Sequence, residues 1–214
     1  LQSSSAASDV YKRQVADINA DAAIAFATSM NEKVSGIGLD VTDTNALKSE
    51  MEKVDVVINT VGPFYKYGPP ILEAAIDKSC HYLDIKDDWE PTLEMLTFHE
   101  KAKSNSITAI LGMGASPGLT TMLGAAAIQE LDETETLYTG WTMDGAAPEE
   151  ESSQSGLNAA MIHAVQQMTG KVRIQDKGEA KMVKPLKEIV VDLPGFNKFK
   201  PVSYTHLTLP TSSV

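Results

Sequence analysis

The chain has 214 residues, enough for one full domain or one and a part. Hydrophobic residues make up 43% and charged residues 22%, the balance of a soluble globular protein. A formal net charge of −11 argues against a nucleic-acid or anionic-membrane partner, and no apolar run approaches the roughly 20 residues that span a bilayer. Cys80 is the only cysteine, which rules out an intrachain disulfide and a CxxC zinc pattern. With no targeting signal in view, the expected location is cytoplasmic.

The two ends read differently from the middle. Asp9-Val10-Tyr11-Lys12-Arg13-Gln14 and Pro201-Val202-Ser203-Tyr204-Thr205-His206-Leu207 back-translate to strings of which the second contains the reverse complement of the first. Residues 1–14 and 201–214 are therefore read as translated sequencing adapter, with a gene fragment running from about Val15 to Lys200.

From the start of that segment, Val15-Ala16-Asp17 reads as the end of a strand. Ala20 to Met30 is an alanine-rich helix, with Asn19 or Asp17 as its cap. Lys33 to Leu39 is a strand, and a helix capped by Thr42 or Asp43 runs through Met51. Val54 to Val61 is a continuous apolar run, the signature of a central parallel strand buried on both faces. Gly62-Pro63 breaks it, and Gly68-Pro69-Pro70 opens a helix reaching Lys78, with proline in the first turn where no amide partner is required. Cys80 to Ile85 is a strand, Glu90 to Ser104 a helix, Ile107 to Met113 a strand and Pro117 to Leu131 a helix. This alternation predicts an α/β fold: a Rossmann-like doubly wound parallel sheet over residues 15–133.

After Glu133 the pattern changes. Thr134 to Met143 alternates like a half-exposed strand, Leu157 to Thr169 is a helix, and Lys171 to Ile174 and Glu188 to Asp192 are strands. Residues 134–200 are read as the beginning of a second, α+β domain.

In such a sheet, ligands sit beyond the carboxyl ends of the strands, so the strand ends are where chemistry is sought. Asp17 is placed to accept hydrogen bonds from a ribose; the alternative is a helix cap. No arginine follows it to grip a 2′-phosphate, which tilts the cofactor toward NAD over NADP. Asp40 and Val41 flank an adenine ring or form another cap. Asn59-Thr60-Val61-Gly62-Pro63 ends the strongest strand, where a glycine permits close backbone approach to a cofactor. Gly114, within Gly112-Met113-Gly114-Ala115-Ser116-Pro117-Gly118, presents amides at a helix start, useful for a phosphate or carboxylate, or makes a tight strand–helix joint.

Tyr82-Leu83-Asp84-Ile85-Lys86 fits the Y-x-x-x-K pattern of short-chain reductases, in which both side chains share a helix face. Here the pair falls on a strand, so the match is read as accidental. Asp84, Asp87 and Lys86 are the acid/base candidates; the bland alternative is a solvated acidic turn. His81, His99 and His163 lack metal-ligand spacing, so no metal is expected.

VDVVINTVGPFYKYGPPILEAAIDKSCHYLDI, followed by HEKAKSNSITAILGMGASPGLTTML, resembles the Rossmann domain of the saccharopine dehydrogenase family. The shared order is a G-P turn, a helix opening at Y-G, a strand reading H/Y-x-D and a G-x-x-P-G turn into a helix. HAVQQMTGKVRIQDKG is similar to the start of that family's second domain. The resemblance implies hydride transfer between NAD or NADP and a C–N bond of an amino-acid-like substrate. Asp17 would bind ribose, Asp40 and Val41 would lie near adenine, and Asn59 to Pro63 would run toward the nicotinamide. Phe64 and Ser116 would border the substrate. Ser116 stands where several members carry Asp and Phe64 where some carry Tyr, which points away from saccharopine itself. Arg173, the only arginine between the tails, and Lys66 and Lys86 are the cations on hand for a substrate carboxylate.

The first strand and its glycine loop would lie upstream of Val15. Their loss would expose a sheet edge and leave the chain without detectable NADH turnover. A homodimer is the expected assembly. The competing readings are a short-chain carbonyl reductase, an enoyl reductase relative and a non-catalytic nucleotide-binding domain.

Overall fold

The structure is a computed structural model and describes residues 12–30, 32–139, 165 and 168–186. It divides into two compact units, one ending at Asp55 and the other beginning at Val56.

The first unit is a β-α-β-α segment: β1 (Arg13–Asp17), α1 (Ala20–Met30), β2 (Val34–Gly38) and α2 (Thr44–Met51). Strand β1 takes in Arg13 and Gln14, upstream of the expected start at Val15. It pairs in parallel with β2, bringing Asp17 opposite Gly38. Helix α1 buries Ala23 and Ala27. Its approach to β2 is close enough that a Cβ on Gly36 would lie 2.4 Å from the Ala23 carbonyl oxygen, so only glycine fits this crossing. Both expected caps form. The Ala22 N–H donates to Asn19 Oδ1 at the start of α1. At α2, Asp43 Oδ1 accepts from the N–H groups of Asn45 and Ala46, each at 3.0 Å.

The second unit contains β3 (Val56–Asn59), α3 (Phe64–Asp77), β4 (His81–Asp84), α4 (Trp89–Leu96), α5 (His99–Ser104), β5 (Ala109–Ile110), α6 (Leu119–Gln129), β6 (Val172–Asp176) and β7 (Glu179–Val183). Strands β3, β4 and β5 form a parallel sheet in that order, with Asn59 opposite Asp84 and Leu83 opposite Ile110. Helix α3 supplies most of the core through Ile71, Leu72, Ala74, Ala75 and Ile76, joined by Cys80, Tyr82 and Met95. Fully burying a side chain such as Leu72 stabilises by about 1.5–3 kcal/mol. Parallel pairing and strand–helix alternation in both units are those of a Rossmann-like α/β fold, as expected.

Several expectations need correction. The run at Val54 to Val61 is not buried on both faces: Val56 is 46% and Ile58 67% exposed. Among the described strands β3 stands at the end of its sheet, and of its four residues only Asn59 is buried. Helix α3 begins at Phe64, not at Gly68, because the Pro63 carbonyl already accepts the N–H groups of Lys66 and Tyr67; Pro69 and Pro70 therefore lie inside it. The helix expected from Glu90 to Ser104 is broken in two. At the break, Thr97 and Phe98 donate to the Glu94 and Met95 carbonyls three residues back, and the tighter turn ends α4.

Strand β5 is two residues long; beyond it the Gly112 amide turns to the Asp84 side chain, and the Met113 amide bonds the Asp84 carbonyl at the end of β4. No strand forms over residues 134–139, whose alternating pattern finds no pairing partner there. Strand β6 forms as expected, and it pairs antiparallel with β7 in a hairpin that the sequence pattern does not announce. The remainder of the expected strand to Met143, the strand at Glu188 to Asp192 and most of the helix at Leu157 to Thr169 lie outside the described residues.

Lys101 of α5 bridges to Glu73 at 3.2 Å and to Asp77 at 2.8 Å, both on α3. The hydrogen bond to Asp77, then the one to Glu73, raises its pKa above the ordinary 10.5. A cation raised in this way contributes stability that is fully present below the unfolded value and is lost as pH rises through the folded one. The side chain is 41% exposed, so solvent screens the pair. Lys101→Ala is expected to lower stability by less than about 1 kcal/mol at neutral pH. The loss should shrink in high salt, as urea unfolding with and without 1 M NaCl would show.

Candidate active site

In the second unit, the carboxyl ends of β3, β4 and β5 are joined by a run of buried side chains. Asn59, Tyr82, Asp84 and Lys86 are all buried, Asp84 and Lys86 with no exposed surface. Alternation along the strands brings them together: Asn59 and Asp84 are register partners, and Tyr82 lies two residues before Asp84 on the same face.

The hydrogen bonds run in one continuous path. The Val61 N–H donates to Asn59 Oδ1 at 2.9 Å. Asn59 Nδ2 donates to Tyr82 Oη at 3.0 Å, and the Tyr82 hydroxyl donates to Asp84 Oδ2 at 2.9 Å. Lys86 Nζ reaches the same oxygen at 3.2 Å. Asp84 Oδ1 accepts the amides of Gly112 at 2.7 Å and Lys86 at 3.3 Å. The Asp84 carboxylate thus has four donors, and its own backbone carbonyl takes the Met113 amide at 2.7 Å.

The electrostatics follow from this burial. Desolvation, and then the adjacent Asp84 carboxylate, drives the Tyr82 phenol well above its ordinary range, so it remains a donor. Desolvation also pushes the Lys86 ammonium below the ordinary lysine value, while Asp84 pulls in the opposite direction. The Lys86 amine also lies against Met95 Sδ.

The remaining expected residues occupy the tips around this network. Thr60 is exposed, while Val61, Gly62, Pro63 and Phe64 are half-buried at the exit of β3. Asp87 is half-buried just beyond β4. Gly114 pairs with Gly118 across the turn into α6, with Ser116 half-buried between them. The amides of Leu119 and Thr120 are spent on the carbonyls of Gly114 and Ala115, both at 3.0 Å, so this turn offers a ligand fewer amides than its glycines promised. Lys66 lies over the Tyr67 ring and Arg173 over the Trp89 ring.

In the first unit, Asp17, Asp40 and Val41 lie at or just beyond the carboxyl ends of the paired strands β1 and β2. Asp17 is exposed, and its Oδ1 accepts the Asn19 N–H at 2.8 Å. Asp40 accepts from the hydroxyl and then the amide of Thr42, which lowers its pKa.

Two members of the buried network carry no clear signal in the sequence. In the sequence Tyr82 stands out only as half of a reductase pair, and Gly112 only as part of a glycine turn. The two-residue period that placed Asp84 on the inner face also placed Tyr82 there. Because β4 is a strand, the short-chain reductase arrangement of Tyr82 and Lys86 on one helix is excluded.

Parallel β-α-β units with acidic and glycine-bearing residues at the strand ends define a dinucleotide-binding α/β domain. The chain matches the saccharopine dehydrogenase NADP binding domain over residues 4–110, half of its length, and belongs to that family of oxidoreductases. It is 25% identical over 185 residues to the saccharopine dehydrogenase-like oxidoreductase of Bos taurus, covering 82% of this chain and 40% of that protein. The Rattus norvegicus counterpart is 28% identical over the same extent. The chain thus spans well under half of these relatives. A solved saccharopine dehydrogenase (L-Glu forming) from Saccharomyces cerevisiae shares the fold, with a TM-score of 0.52 at 16% identity over 91% of this chain and 49% of that one. Among the described residues, no helix is long and apolar enough to cross a membrane, and no cluster of His, Cys, Asp and Glu is suited to a metal.

Proposed function

We propose that the protein transfers a hydride between a nicotinamide cofactor and a C–N bond of an amino-acid-like substrate. Family membership carries this reading, together with the chemistry of the strand ends. Asp17 and the pair Asp40 and Val41 take the ribose and adenine, and Thr60 to Pro63 with Gly114 line the remainder of the cofactor, with Asn59 buried beneath them. Phe64 and Ser116 border the substrate. The exposed Asp17 carboxylate suits ribose hydroxyls and repels a 2′-phosphate, so NADH is preferred over NADPH. When bound, the cofactor supplies the hydride chemistry; the protein orients it and handles the proton.

Oxidising an amine or reducing an imine requires a proton exchanged near the nitrogen. Of the three acid/base candidates, Asp87 has access to solvent, whereas Asp84 and Lys86 are sealed in and committed to each other. Proton exchange is therefore assigned to Asp87. In the whole protein, Asp87→Asn is expected to lower kcat by about 100-fold or more with cofactor affinity nearly unchanged. Steady-state kinetics alongside fluorescence titration with NADH and NADPH test both points. An unaltered kcat removes Asp87 from the mechanism, and tighter binding of NADPH overturns the cofactor preference.

A further inference from the structure

The path of hydrogen bonds beneath the strand tips joins two backbone turns that are far apart in sequence. One end is the Val61 amide, in the turn leaving β3; the other is the Gly112 amide, in the turn leading to Gly118 and α6. Between them lie only Asn59, Tyr82 and Asp84, each linked to the next. None of the three is exposed enough to meet a ligand directly. In the proposed function, both turns face the cofactor.

Resting on the oxidoreductase reading, we propose that Asn59, Tyr82 and Asp84 are positioning residues that form a buried strap fixing the two cofactor-facing turns relative to each other, with Lys86 as the strap's internal counter-ion. The physical basis is the number of donors Asp84 satisfies at once. Gly112 is held by a charged acceptor at 2.7 Å, a stronger tie than a neutral bond. Along the side-chain path Tyr82 joins Asn59 to Asp84, and its phenol stays protonated, so the donor order along the path is fixed.

The test uses the full chain as wild type, Tyr82→Phe and Asp84→Asn. Tyr82→Phe keeps the ring and removes only the hydroxyl, which guards against loss of the fold. Amide exchange by NMR is followed at Val61 and Gly112, and NADH and NADPH binding by fluorescence. A strap predicts that Tyr82→Phe speeds exchange by about tenfold at both ends, while amides of the first unit remain as in wild type. It also predicts that cofactor affinity falls by about tenfold in both variants among molecules that remain folded. Unchanged exchange at Gly112 in Tyr82→Phe overturns the proposal, as does wild-type affinity in both variants. Should the whole protein also take up neither nucleotide, the oxidoreductase reading fails, and the exchange result alone then upholds or overturns the strap.

Discussion

Replacing Asp84 with alanine is expected to destabilise the second unit by about 3–5 kcal/mol, the range for breaking one side of a buried ion pair. Four donors lose their acceptor together: the Tyr82 hydroxyl, the Lys86 ammonium and the amides of Lys86 and Gly112. Each sits where water does not reach to replace the lost oxygen. The largest share falls on Lys86, whose ammonium keeps its burial and loses its hydrogen-bonded counter-ion. Its pKa, already lowered by desolvation, falls further once the pull of Asp84 is gone. A cation with a depressed pKa burdens the folded state below that value and is relieved as pH rises toward the unfolded lysine value of 10.5. The variant should therefore regain part of its stability in alkaline buffer. A second substitution, Lys86→Met in the Asp84→Ala background, should recover roughly half of the loss, because it removes the orphaned charge. Urea unfolding of the two single variants and the double gives the coupling directly. A loss below about 1 kcal/mol for Asp84→Ala would mean that water or another group takes over its donors.

How much of this was legible in the sequence depends on the range of the interactions. Helices α1 and α2 are legible nearly to the residue, because Asn19 and Asp43 are local caps and the Ala20 to Met30 segment has few alternatives. Strand β4 was read equally well from its short apolar run. The start of helix α3 is masked because the two prolines look like an opening signal, whereas the Pro63 carbonyl begins the hydrogen-bond ladder earlier. The break at Thr97 depends on two three-residue backbone bonds that no periodicity announces. Strand β3 carries the composition of a doubly covered strand, yet composition says nothing about which strand stands beside it. The same limit applies to the site. In the sequence Asp84 is a charged residue at a strand end, a position that suggests acid/base chemistry. The proposal of a positioning role instead rests on its four donors, one of them 28 residues away in sequence, and pairing of that kind is a property of the folded sheet.

Gly118→Ala is the second substitution expected to have a large effect, because two independent costs fall on one atom. The residue has φ 110° and ψ −98°, a region that L side chains rarely adopt and that costs about 1–3 kcal/mol to enforce. A Cβ there would also lie 2.2 Å from the Gly114 carbonyl oxygen and 2.7 Å from its nitrogen. Both are backbone atoms, so no rotamer change relieves the clash. The turn must open, and with it the bridge between Gly114 and Gly118 and the bond from the Leu119 amide to the Gly114 oxygen. Helix α6 would then lose the anchor of its first turn, for a total of about 3–5 kcal/mol once strain and overpacking are combined. Gly178 provides the control. It also has positive φ, at 82°, but a Cβ there meets nothing within 4 Å. Gly178→Ala should therefore cost only the conformational penalty, about 1 kcal/mol. Thermal unfolding of the two variants separates the clash from the strain: equal losses would show that the close approach of Gly118 to Gly114 contributes nothing. Because this turn is proposed to border the cofactor, Gly118→Ala should also weaken nucleotide binding under conditions where the variant remains folded, and Gly178→Ala should leave it unchanged.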